Sequence, residues 1–128
     1  MAIRFTFLSP MDASGADAVA KPHTILARAL RRSDALGRWN GVALDPAVGA
    51  ALAGRLRDFD YDLTALRLGR YASPNRHRQA RQDPTLAGSL FVRGDLSDIW
   101  PLLRIAERAH IGWHAVEGLG RVRVEAIE

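Results

Sequence analysis

The spacing of apolar residues along this chain switches repeatedly between two and about 3.6 residues, and the order of those switches constrains the fold more than any other feature. From Ala2 to Leu8, Ile3, Phe5 and Phe7 fall on one side and Arg4 and Thr6 on the other, the repeat of a half-buried strand. Ser9-Pro10 and the small residues from Asp12 to Ala20 read as a loop. Pro22 then opens a run with Ile25, Leu26, Ala29 and Leu30 at helical spacing, which predicts a helix over 23–36. Asp45-Pro46 is a helix start with an acidic N-cap, and Val48, Leu52, Ala53 and Leu56 form the stripe of a second helix ending near Arg57.

Alternation returns from Phe59 to Tyr71, with a change of phase around Leu66 and Leu68 that suggests a bulge in one long strand. Leu86 to Val92 is a third strand, closed by Gly94-Asp95. Ser97 is the expected cap of a helix carrying Ile99, Leu102, Leu103, Ala106 and Ala109 or His110, with Pro101 in its first turn, where a missing N–H costs little. Val116 to Ile127 holds a last strand, with Val122, Val124 and Ala126 facing one way and Arg121, Arg123 and Glu125 the other. Without the short second helix, the order is βαββαβ. That is the α+β, ferredoxin-like (RRM-like) plan: an antiparallel sheet with its helices on one face.

A chain of 128 residues with 48% apolar content can bury its own core, so residues 1–128 read as one domain. Cysteine is absent, which excludes disulfides, thiolate metal sites and cysteine nucleophiles and fits a reducing, cytoplasmic setting. The first residues place Arg4 inside the apolar run with no long hydrophobic stretch behind it, unlike a signal peptide or a membrane span. Of 18 basic residues only Lys21 is a lysine. An arginine surface grips phosphate and stacks on bases; an arginine bias of the coding sequence would produce the same count. Position favours the first reading. From Gly69 to Gln82 stand Arg70, Arg76, His77, Arg78 and Arg81 with no acid among them, while Asp58, Asp60 and Asp62 gather upstream.

Between the last helix and the last strand run His110-Ile-Gly-Trp-His-Ala-Val-Glu-Gly-Leu-Gly-Arg-Val-Arg. Gly112, Gly118 and Gly120 let a backbone or a phosphate approach closely, and Arg121 and Arg123 follow on one face of the strand. Trp113 in this segment suits a stacking platform, and His114 and His77 suit phosphate contact or ring stacking. A dinucleotide-binding turn needs its glycines before a helix, and these precede a strand, so no nicotinamide or flavin is expected. No histidine pair has metal-ligand spacing beside a carboxylate, and no metal is expected either.

The stretch Gly88-Ser-Leu-Phe-Val-Arg-Gly-Asp-Leu, the helix Pro101-Leu-Leu, then His110-Ile-Gly and Glu117-Gly-Leu-Gly-Arg resemble the C-terminal end of CRISPR precursor-RNA processing endoribonucleases of the RAMP superfamily. Phe7-Leu-Ser-Pro is similar to the strand end that opens the second ferredoxin-like domain of that family. The resemblance implies binding of CRISPR repeat RNA, with cleavage yielding a guide RNA. Members pair two such domains, so it also implies a second RAMP domain or other CRISPR-associated proteins as partners. Trp113 stands where a lysine is common and Glu117 where an apolar residue is, a departure that favours holding RNA over cutting it.

Metal-independent cleavage needs a base for the 2′-hydroxyl, work that suits a histidine near its ordinary pKa of about 6.5. His23 opens the first helix, a location similar to that of the catalytic residue in the family's first domain, and is the catalytic candidate. The expected RNA contacts are Arg70, Arg76, His77, Arg78, Arg81, Gly112, Trp113, His114, Gly118, Gly120, Arg121 and Arg123. Two other readings stay open: an endoribonuclease that cuts repeat RNA by itself, and a ferredoxin-like module that binds protein instead of RNA.

Overall fold

A computed structural model describes residues 1–12, 20–39, 41, 44–72, 82–108 and 121–127. In chain order the elements are β1 (Ala2–Asp12), α1 (His23–Trp39), α2 (Pro46–Arg55), a 3-10 turn (Leu56–Asp58), β2 (Asp60–Asp62), β3 (Leu66–Ala72), β4 (Gln82–Arg93), α3 (Trp100–Ala106) and β5 (Val122–Ala126). The strands form one antiparallel sheet in the order β2-β4-β1-β5, with β3 also paired to β4. β1 and β2, joined through α1 and α2, thus lie with β4 inserted between them. β4 and β5, joined through α3, lie with β1 inserted. These interleaved split units are the ferredoxin-like α+β plan.

Alternation decides which face is covered. Ile3, Phe5 and Phe7 are buried, as are Leu90 and Val92 of β4 and Val122 and Val124 of β5, and all join one core with Ile25, Leu26 and Ala29 of α1 and Leu103 and Ala106 of α3. The rings of Phe5 and Phe7 meet edge to face at 5.6 Å, a favoured aromatic geometry. α1 and α3 are tied by Ser33, whose hydroxyl donates to the carbonyls of Ala29 and Leu102. α2 adds Leu52, which with Leu56 and Phe59 extends the core under the first crossover, between β1 and β2. Its N-terminus is capped as the sequence predicts, with the Asp45 carboxylate accepting from the Ala47 N–H at 2.8 Å and Pro46 in the first turn.

Four details differ from the sequence reading. First, the long strand expected over 59–71 is two. After Asp62↔Phe91 the pairing resumes at Leu66↔Gly88, so three residues face two, and a turn closes on the Leu66 N–H to Leu63 carbonyl bond of 3.0 Å. Gly88 sits opposite at φ 90° with its N-terminal neighbours in register, where an added Cβ would lie 2.1 Å from the Ala65 carbonyl oxygen. The phase change read in the sequence is this bulge.

Second, β1 does not stop at Leu8. It crosses Ser9-Pro10 in a register break and pairs again at Met11↔Leu86 and Asp12↔Thr85, because Met11 is apolar and fully buried. Third, Ser97 does not cap α3. Its hydroxyl bonds the Asp95 carboxylate at 2.9 Å, while the Leu96 carbonyl accepts from the Ile99 and Trp100 N–H groups, so the preceding turn leads into the helix without a side-chain cap. Fourth, α2 ends at Arg55, and Leu56 to Asp58 tighten into a 3-10 turn.

Candidate nucleic-acid interface

Antiparallel pairing points the described flanks of the predicted contact segments toward one end of the sheet. β1 and β3 run toward that end and β4 and β5 run away from it. The pair Ala72↔Gln82 flanks the stretch carrying Arg76, His77, Arg78 and Arg81. On the neighbouring strands the same end holds Asp12↔Thr85, then Phe7↔Val122. Arg121, the first described residue after the glycine segment, is pinned there twice: its carbonyl accepts from the Leu8 N–H at 2.8 Å, and its N–H donates to the Ser9 hydroxyl at 2.9 Å. The register break at Ser9-Pro10 is therefore what brings a hydroxyl to the Arg121 backbone.

Arg121 and Arg123 are both exposed, with Arg123 opposite Thr6 on the face of the sheet that carries no helix. The backbone of Arg70 lies in β3, opposite Pro84 and close to the hairpin end. Arg76, His77, Arg78, Arg81, Gly112, Trp113, His114, Gly118 and Gly120, together with His110 and Glu117, lie outside the described residues.

His23 is the first residue of α1 and only partly buried. Its imidazole is pushed below the ordinary histidine value, first by the loss of solvent around it, then by the charges of Arg57 and Lys21. No acid in the first turn of α1 offsets the positive end of the helix dipole. These influences favour the neutral ring, the form that accepts a proton, and the Arg57 guanidinium is near enough for its charge to be felt. Arg57 is a partner the sequence reading missed. Its spacing of 34 positions from His23 carries no local signal, and only the packing of the 3-10 turn against α1 joins them.

Other cations are engaged in ion pairs. Arg4 reaches Glu125 at 3.1 Å, Arg38 reaches Asp34 at 2.9 Å, and Arg55 reaches Asp98 at 2.7 Å. Arg104 pairs with Glu107 at 3.0 Å and lies 5.8 Å from the Trp100 ring centroid. These are partly exposed pairs that fix side chains more than they stabilise the fold. Among the described residues no three histidine, aspartate or glutamate side chains gather as metal ligands, and no helix is long and apolar enough to cross a membrane.

Fold and placement together describe a ferredoxin-like domain with arginines at one end of its sheet, a class suited to polyanionic ligands. The family model of the CRISPR-associated endoribonuclease Cas6 matches residues 5–122, and the chain belongs to that family. Binding and processing of CRISPR repeat RNA is the activity the family carries. No similar sequence was found among curated proteins.

Proposed function

We propose that this chain is the repeat-holding domain of a Cas6-type particle, recognising CRISPR repeat RNA through the arginine end of its sheet. The observation that carries the reading is that the flanks of the 73–81 stretch and the C-terminal flank of the 109–120 segment lie toward the same end of the sheet, with Arg121 and Arg123 exposed. Arg70, Arg76, Arg78, Arg81, Arg121 and Arg123 contact phosphates, with His77 and His114 assisting. Gly112, Gly118 and Gly120 let the RNA backbone approach, and Trp113 stacks on an unpaired base. A second ferredoxin-like domain or another CRISPR-associated protein completes the particle in the cytoplasm.

The test is a salt titration of repeat-hairpin binding. Six phosphate contacts correspond to roughly a thousandfold loss of affinity between 50 and 200 mM salt. Binding that is absent, or indifferent to salt, would overturn the reading.

A second reading has its own support in the neutral His23 beside the Arg57 charge. In it His23 takes the proton from the 2′-hydroxyl, the oxygen attacks the adjacent phosphorus, and the bond to the 5′-oxygen breaks as that oxygen gains a proton. Arg57 offsets the negative charge developing on the phosphoryl oxygens. Incubating the protein with labelled repeat RNA in a chelator separates the two. RNA cut by the parent chain but intact with His23→Ala supports the second reading, and RNA left intact by the parent removes it.

A further inference from the structure

The helix-free face of the sheet carries a pocket at the end opposite the pair Ala72↔Gln82. Residues that face each other across the strands share a face, and the register sets Asp60, Arg93 and Ala2 in one row and Asp62, Phe91, Arg4 and Glu125 in the next. A cavity of about 370 Å³ opens here, lined by Asp60 and Asp62 of β2, Phe91 and Arg93 of β4, Ala2 of β1 and Ile127. That volume falls within the ~300–1,000 Å³ of small-ligand pockets.

Phe91 is the odd residue of this face. It sits on an inner strand, partly exposed, where the alternation of β4 calls for a polar residue such as Ser89 or Arg93. It is flanked by unlike walls. On the β2 side stand two carboxylates, with Arg93 across from Asp60; toward β1 and β5 stand the apolar Ala2 and Ile127 and, in the row of Phe91, Arg4 paired to Glu125. The Oδ1 atom of Asp62 is committed, accepting from the Thr64 N–H at 2.9 Å and the Thr64 hydroxyl at 2.7 Å, which leaves its other oxygen and the exposed Asp60 to face the cavity. A flat ligand that is apolar on its faces and donates hydrogen bonds from one edge matches all three features.

We propose that this pocket takes a single unpaired nucleobase bearing an exocyclic amine: cytosine, adenine or guanine, with uracil disfavoured. The base stacks on Phe91 and its amine donates to Asp60 and Asp62. The sugar-phosphate chain passes on the side away from the two carboxylates. One row along, about 7 Å away on the strand, the hydrogen-bonded hydroxyl pair of Thr6 and Ser89, with one proton left to donate, and the exposed Arg123 offer it donors. The proposal rests on the reading of the chain as an RNA-holding domain for its ligand class; Arg123 is common to both, while Phe91, Asp60 and Asp62 lie outside the contacts named there.

Single-stranded hexamers of cytidine, adenosine and uridine, measured beside the repeat hairpin, separate the two. The expected result is cytidine and adenosine hexamers binding about tenfold tighter than uridine hexamers. Phe91→Ala lowers their affinity about tenfold or more. Asp60→Asn, at an exposed side chain where folding is not at stake, removes the preference over uridine. Hexamer binding that keeps both dependences while the hairpin fails to bind supports the pocket and sinks the repeat-holding reading. Hexamer binding indifferent to both substitutions overturns the pocket and leaves this face to a protein partner, whatever the hairpin does.

Discussion

His23 is the sole histidine among the described residues, and its environment makes a prediction with a definite sign. Partial burial, Arg57 and Lys21 all disfavour the imidazolium, so the folded-state pKa lies below the ordinary histidine value of 6.5. As pH falls, the unfolded chain takes up the proton first. Stability linked to this group is therefore fully present above pH ~6.5 and is lost as pH drops toward the lower folded-state value, where the dependence levels off. An NMR titration of the ring should give a midpoint below that of a free histidine. Arg57→Gln should raise the midpoint toward the ordinary value, and an unmoved midpoint would show that the Arg57 charge does not govern the ring. A base kept neutral in this way is competent at neutral pH whether or not RNA reaches it.

At the level of elements, Gly88 holds the junction where β2 gives way to β3. Its φ of 90° suits glycine, and a methyl group would meet the Ala65 carbonyl, which is backbone and cannot swing aside. Gly88→Ala should cost about 3 kcal/mol, combining the left-handed conformation with the overlap. In a domain this size that lowers Tm by roughly 10 °C, measurable by thermal denaturation. A loss below 1 kcal/mol (~3 °C) would mean that the bulge shifts freely. Period and caps made β1, α1, α2 and β5 legible, because Ile3-Phe5-Phe7, Asp45-Pro46 and Val122-Val124 state their burial locally. The break between β2 and β3 was legible only as a change of phase. The glycine that permits it lies on the partner strand, more than twenty positions away. Ser97 misled for a related reason: a serine two residues before an apolar run resembles a cap, yet the Asp95 carboxylate claims its hydroxyl.

For the whole molecule, the order of the strands does what no single motif can. The arginines of 70–81 and those after the glycine segment are about forty positions apart, and antiparallel pairing brings the flanks of both to one end. Their chemistry could be read from the sequence. Their placement needed the topology, and so did that of the carboxylates and aromatic ring of the opposite end, where the sequence shows Asp60 and Asp62 only as acids gathered upstream of the basic stretch. The arginine end can be tested without disturbing the fold. Arg121 is held through its own N–H and carbonyl, bonds that survive truncation of the side chain, and Arg123 is exposed opposite Thr6. Replacing both by alanine should leave Tm within a degree or two, since exposed substitutions away from buried contacts change stability by about 0.5 kcal/mol or less. If each side chain neutralises one phosphate, the plot of log affinity against log salt should flatten by about 1.5 and repeat-hairpin affinity at low salt should fall at least tenfold. An unchanged slope with unchanged stability would place the phosphate path elsewhere on the molecule.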